Sequence, residues 1–280
     1  MTMSKPEYWS TDMGIVEEVA TNDVMNVIRT TILNHPRSKQ KRIGPSEIGT
    51  PCDHCLAAKL AGWEQHEQGI PWTTTKGTAI HAWLEHTFNQ ADVDRPEYAA
   101  RGHKRRWVTE ETVTVGRIGD TDITGSTDLL DVEAARTWDW KFVGTSSLRK
   151  YKAQGPSQVY RVQQQLYAHG WNAAGIPVRT VSICFLPAQS AKFSDTHIWS
   201  EPYQPHIAEE ALARANHLWQ QIHVLQSLGT QVRDQWITSL PRAQGCWDCS
   251  RYPDYQPGPE TEHGVLLDLT PSSPTPQPAA

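Results

Sequence analysis

The sequence predicts one α/β domain on a mixed central sheet flanked by helices, with cysteines drawing its N- and C-terminal segments together. Three observations lead there. The hydrophobic period is helical over residues 77–90, alternates over 107–143, and is helical again over 157–171. The chain has 280 residues, enough for one large core or two small ones. Two Cys-x-x-Cys pairs, Cys52/Cys55 and Cys246/Cys249, bracket the periodic region from about 190 residues apart.

Residues 13–35 read as one or two short helices ending before Pro36. The basic stretch 37–42 is either a solvated loop or a phosphate contact. Residues 56–61 open a short helix. Residues 77–90 form an amphipathic helix with Ile80, Trp83, Leu84 and Phe88 on the apolar face, while His81 and Glu85 share another. Residues 107–115, 121–132 and 136–143 are strands of an antiparallel meander, turned at Gly119-Asp120 and at 133–135. Residues 157–171 are helical, with Val159, Val162, Leu166 and Tyr167 or His169 inward. A strand over 178–186 ends at Pro187, and 196–200 offers one more. Residues 206–228 are a long helix with Ile207, Leu212, Leu218, Ile222 and Leu225 available to the core. From Pro271 the chain is rich in Pro, Ser and Thr and reads as a disordered tail.

Lys plus Arg total 26 against 31 Asp plus Glu, a net charge of -5, which excludes a strongly basic architectural nucleic-acid binder. Local basic patches remain open. Residues 103–106, and Arg149, Lys150 and Lys152, are either solvated charge or the rim of a phosphate-tracking groove. No run approaches the roughly 18 apolar residues of a membrane span. Residues 1–12 are polar and lack the pattern of a secretory signal. The expected location is the cytoplasm, that of a host cell if the chain is phage-encoded.

With no export signal, two Cys-x-x-Cys pairs point to metal rather than disulfides. Four thiolates suit tetrahedral zinc or an iron–sulfur cluster. Their separation makes any shared site a staple between the two ends of the chain. Cys184 lies in an apolar strand and reads as a core thiol. His54, between Cys52 and Cys55, reads as a spacer.

Strand 136–143 carries Asp139 and Lys141 on one face, with Trp138, Trp140 and Phe142 on the other, buried, face. Asp128 on the preceding strand is within reach across the hairpin. Two carboxylates can hold Mg²⁺ or Mn²⁺ through hard oxygen ligands. Such an ion acidifies a water and offsets charge growing on a phosphate. A lysine beside it can orient the water or stabilise the transition state.

These residues stand in a recognisable order: Gly77-Thr-Ala-Ile-His81, Gly125-Ser-Thr-Asp128, Asp139-Trp-Lys141 and Gln163-Gln-Gln-Leu-Tyr167. The order resembles the PD-(D/E)XK nuclease superfamily, in particular its RecB-like branch. Within that branch it is similar to the CRISPR-associated exonucleases with a cysteine-bound cluster and to related phage exonucleases. The resemblance covers roughly residues 46–250. It implies a restriction-endonuclease-like core, after an N-terminal helical segment 1–45 and before a C-terminal segment 251–280.

The implied activity is a metal-dependent DNA exonuclease in recombination, repair or processing of phage or bacterial DNA. The alternatives are a metal-stapled nucleic-acid-binding subunit without catalysis, or a structure-specific endonuclease. The resemblance implies that His81, Asp128, Asp139 and the main-chain carbonyl of Trp140 hold Mg²⁺ or Mn²⁺. Lys141 then positions or activates the attacking water, and Gln163 and Tyr167 hold the strand or support the lysine. Glu85 either supports His81 or is a plain surface residue. Cys52, Cys55, Cys246 and Cys249 bind a [4Fe-4S] cluster, with zinc as the alternative. The two-and-two split of cysteines departs from the one-upstream, three-downstream pattern of the cluster-bearing relatives. Implied partners are DNA, recombination or CRISPR-type proteins, and further copies of the chain.

Overall fold

The computed structural model describes residues 13–34, 43–66, 69, 72–93, 105–252 and 254. The basic stretch 37–42, residues 103 and 104, and the Pro-rich tail lie outside the described residues. The elements are α1 (Met13–Asn34), α2 (Pro45–Ile48), α3 (Asp53–Leu60), α4 (Trp72–Val93), β1 (Trp107–Ile118), β2 (Thr121–Asp131) and β3 (Arg136–Val143). There follow α5 (Thr145–Gln154), α6 (Gln158–Ala173), β4 (Thr180–Pro187), β5 (His197–Pro202), α7 (Pro205–Leu228) and α8 (Thr230–Ser239). Among the described residues no helix is long and apolar enough to cross a membrane.

The five strands form one sheet in the order β1-β2-β3-β4-β5. β1 to β3 are an antiparallel meander, β4 runs parallel to β3, and β5 returns antiparallel. The parallel step needs a crossover, and α5 and α6 supply it. The sheet is therefore mixed, as the periodicity predicts. At the β1–β2 turn Gly119 has φ +56°, and the ring of Trp219 lies 2.3 Å from where a Cβ would stand. Both facts require glycine there.

α6 crosses one face of the sheet at close range. A Cβ on Gly170 would meet the Thr114 carbonyl at 2.6 Å. The main core forms between them, from Val113, Val115 and Leu130 of the strands and Val162, Leu166 and Trp171 of the helix. Small residues of α7, Ala208, Ala211 and Ala215, close it. Burying these alanines, with Leu218 and Ile222, differs from the expected set: Ile207 and Leu212 are only partly buried, because close helix approach favours the small side chains.

Two facial assignments need correction. Thr137 and Asp139 of β3 are buried, whereas Trp138 and Phe142 are half-buried. The polar face lies beneath α6, where Thr137 Oγ1 donates to Gln164 Oε1 at 3.2 Å. The tryptophan face is covered instead by α4, with Phe88 stacked on Trp140 at 5.6 Å. On α4 itself, Trp83 is 61% exposed, and His81, Leu84 and Phe88 turn toward the sheet. A helix laid over a tryptophan-rich strand buries the residues one turn apart that fit it, not every apolar one. The short helices α5 and α8 have no apolar stripe to announce them: each buries one side chain, Leu148 and Ile237.

Arg106 closes the start of β1 with a forked ion pair. Its Nε and Nη2 donate to the two carboxylate oxygens of Asp131 at 3.0 and 2.8 Å, and the Ala134 N–H adds 3.1 Å. Burial alone would raise the Asp131 carboxyl, but Arg106 and Ala134 outweigh it and hold it below the usual range. A carboxyl lowered on folding adds stability above its unfolded pKa and loses it as pH falls through the folded one. Asp131→Asn is expected to cost about 1.5–3 kcal/mol near neutral pH, the range for hydrogen bonds to charged groups. Urea unfolding at several pH values checks this: the gap should close in acid, and a pH-independent gap would assign the loss to packing.

Candidate metal and catalytic site

Five elements converge on the carboxyl-rich centre of the sheet. α4 brings His81, whose Nε2 lies 3.0 Å from the Trp140 carbonyl oxygen. Its Nδ1 is 3.3 Å from Asp128 Oδ1 and 3.7 Å from Glu110 Oε1. β2 carries Asp128, whose Oδ2 accepts from the Trp140 N–H at 2.7 Å. β3 carries Asp139 and Lys141, with Lys141 Nζ 3.0 and 2.8 Å from the two Asp139 oxygens. α6 adds Gln163, whose Oε1 accepts from Lys141 at 3.2 Å, and Tyr167, four residues further along the helix. The Tyr160 ring lies 4.6 Å from the Lys141 ammonium. A cleft of about 1720 Å³ opens beside this set, lined by His81, Glu110, Lys141, Gln163 and Tyr167 together with Lys59, Glu85, Trp219 and Arg251.

The position of Glu110 follows from strand register. Thr109 pairs with Leu129 and Glu111 with Thr127, so Glu110 stands opposite Asp128. An irregularity between Thr114 and Gly116 sets this register. Without it, the Gly119-Asp120 turn would place Glu111 there. Glu110 is held at φ +49°, a left-handed conformation that costs a non-glycine residue of order 1–3 kcal/mol. Two carboxylates directly opposite each other repel. Strain and repulsion coincide at one place, and a cation relieves the second.

The electrostatics agree. His81 is pushed up to about 10: burial works against this, but Asp128 and Glu110 prevail, helped by Asp139. Burial pushes Asp139 up to about 6, although Lys141 pulls the other way and Asp128 adds to the rise. Lys141 is raised despite burial, because Asp139 and Asp128 face it. Burial lifts Tyr167 to about 12. Two buried atoms, His81 Nδ1 and Asp139 Oδ2, lack an aligned hydrogen bond. One ligand atom each from His81, Glu110 and Asp128 falls within 4.8 Å of the others. Imidazole and carboxylate donors of this kind fit a small divalent cation.

The cysteines form a second cluster. Cys52 caps α3, Cys55 lies in its first turn, Cys246 precedes the 3-10 turn Trp247–Ser250, and Cys249 lies within it. Their sulfurs approach across the pairs: Cys52–Cys249 at 3.6 Å, Cys55–Cys246 at 3.8 Å and Cys55–Cys249 at 3.5 Å. All four lie within 4.8 Å of one another. Burial and the neighbouring thiols raise Cys55, and burial lifts Cys249 to about 11. Burial would raise Cys52 too, but the Cys55 and Ala243 N–H groups outweigh it and lower it. His54 is wholly buried, with Nδ1 3.7 Å from the Cys55 sulfur, outside the four-sulfur group.

No protein-family model matches the chain, and no curated protein matches it in sequence. Solved structures do. An alkaline exonuclease, LHK-Exo, from Laribacter hongkongensis aligns over 67% of this chain and 91% of its own, at 10% identity and a TM-score of 0.44. LHK-Exo in complex with dAMP aligns over 66% and 89%, at 11% identity and a TM-score of 0.41. A phage-related exonuclease from Haemophilus somnus 129PT aligns over 70% and 92%, at 16% identity and a TM-score of 0.37. What this chain does is read from its own side chains.

The structure brings together His81, Asp128, Asp139, Trp140, Lys141, Gln163 and Tyr167, and separately the four cysteines. It does not bring Arg149, Lys150 or Lys152 to the cleft lining. Arg106 is paired with Asp131, whereas Arg105 is exposed and gives one hydrogen bond to the Asn89 amide. Cys184 is a core thiol, packed with Leu129 and Trp140 and pushed up to about 11 by burial. Glu110 is the residue that sequence reasoning missed. Its signal, an acid opposite Asp128, needs a strand irregularity that no motif announces. Glu110→Gln is expected to weaken Mn²⁺ binding by about tenfold or more, the scale for disturbing a metal's surroundings. Titration calorimetry checks this, with Glu111→Gln as the neighbour expected to bind normally.

Proposed function

We propose that the chain is a divalent-metal-dependent nuclease that hydrolyses phosphodiester bonds of DNA from strand ends. One observation carries the reading: a histidine–carboxylate cluster lies beside a buried carboxylate–lysine pair, and His81, Glu110 and Lys141 of these groups line one cleft. His81, Asp128, Asp139 and the Trp140 carbonyl, joined by Glu110, would hold Mg²⁺ or Mn²⁺. The ion, when bound, acidifies a water and offsets charge on the scissile phosphate.

The chain's own groups do the rest. Asp139 and Gln163 fix Lys141 from two sides, and the Tyr160 ring limits its swing. The remaining donor capacity of the ammonium positions the attacking water and stabilises charge on the phosphoryl oxygens. Gln163 acts chiefly through the lysine, and Tyr167, four residues further along α6, lines the same cleft and is placed to meet the strand. The Trp140 N–H orients Asp128 from the main chain of β3. The preference for DNA ends rests on the motif order from His81 to Tyr167, with its resemblance to the RecB-like exonucleases. The same resemblance supports a place in recombination, repair or processing of phage or bacterial DNA.

The test uses end-labelled linear DNA beside covalently closed circles, each with Mg²⁺ or Mn²⁺. Wild type should release short products from one end and leave the circles intact. Lys141→Ala should bind metal normally and lose about 10²–10³-fold in turnover, the scale for removing one transition-state donor. Asp139→Asn should lose cleavage as well. Cleavage of the circles would replace the exonuclease reading with an endonuclease. No cleavage by folded, metal-loaded wild type would leave a binding subunit.

A further inference from the structure

We propose that Cys52, Cys55, Cys246 and Cys249 hold one tetrahedral zinc ion and not a four-iron cluster. This deepens the reading of the four thiols as a metal site and does not depend on the nuclease activity.

The spacing of the sulfurs carries it. A disulfide needs sulfurs about 2.05 Å apart, and the shortest approach here is 3.5 Å. A single tetrahedral zinc with bonds of about 2.3 Å places its sulfurs about 3.8 Å from one another. The observed approaches are 3.5, 3.6 and 3.8 Å, and all six separations fall within 4.8 Å. In a four-iron cluster each thiolate binds a different iron at the outside of a cube, so the sulfurs stand much further apart. Reaching that span would drive α3 away from the Trp247–Ser250 turn. The surroundings oppose such movement. Cys52 and Cys55 are 0% and 3% exposed, packed among Ala57, Ala58, Ile237 and Tyr252. The contacts also run between the two pairs, which suits four ligands on one centre better than a two-thiol redox site.

The site has a second consequence. Lys59 lies one turn after Cys55 on α3, and Arg251 lies two residues after Cys249. Both line the cleft that His81, Glu110 and Lys141 also line. A zinc ion that locks α3 to the turn therefore also fixes two cations on the cleft wall.

The test is metal and acid-labile sulfide per chain, on full-length protein made with both iron and zinc supplied and purified without air. The expected result is about one zinc, with neither iron nor sulfide beyond background. Cobalt in place of zinc should give the visible bands of a tetrahedral thiolate site. Cys246→Ser and Cys249→Ser should lose the zinc, and Cys184→Ser should keep it. Iron and sulfide in a four-to-four ratio would overturn the proposal, as would folded protein holding neither metal. An inactive protein with one zinc would fail the nuclease reading alone, and an active one with iron would fail this proposal alone.

Discussion

A buried carboxylate costs several kcal/mol unless a cation or donors face it, and the centre of this sheet buries two. Asp139 and Asp128 are 1% and 7% exposed. Much of the surrounding architecture answers that charge. Lys141 faces Asp139, the Trp140 N–H faces Asp128, and His81 reaches both Asp128 and the Trp140 carbonyl from α4. α6 sits on this polar face because it offers amides where an ordinary core helix would offer leucines. Gln163 meets Lys141, Gln164 meets Thr137, and Gln165 meets Glu201 and the Gln204 N–H. Amides pair with polar groups and add no charge, so the helix seals the site without upsetting its balance.

The negative charge is still in excess at one point. Glu110 is held opposite Asp128 by a strand irregularity and a left-handed backbone angle. Folding gains nothing from placing two acids together, so the arrangement makes sense when a cation sits between them. The low dielectric of the covered sheet strengthens each of these interactions. The same burial that makes the site costly makes it chemically strong.

The cysteine cluster solves a different problem. It brings together segments about 190 residues apart, a closure whose entropic cost grows only slowly with loop length. Polar contacts run alongside it. Arg214 of α7 donates to Asp53 and to the Thr50 carbonyl, and the Trp63 indole donates to Asp234 of α8. Lys59 and Arg251, close in sequence to the cysteines, thus line the same cleft as His81, Glu110 and Lys141.

Much of this was legible in the sequence. The change of period located the meander, and the Asp139-Trp-Lys141 spacing placed two charged groups on one strand face. The paired cysteines announced a joint between the ends. These are local properties, because side-chain direction along a strand and ligand spacing within a turn depend on a few neighbouring residues. The faces of β3 and α4, the alanine stripe of α7, the short helices α5 and α8, and the role of Glu110 were decided by tertiary structure. Each depends on what lies across from it: α6 over a polar strand face, a tryptophan strand under α4, a one-residue irregularity that selects Glu110 over Glu111. The separation of four sulfurs is of the same kind. The sequence pairs the cysteines, and only the packing of α3 against a distant turn sets the distances between the four sulfurs.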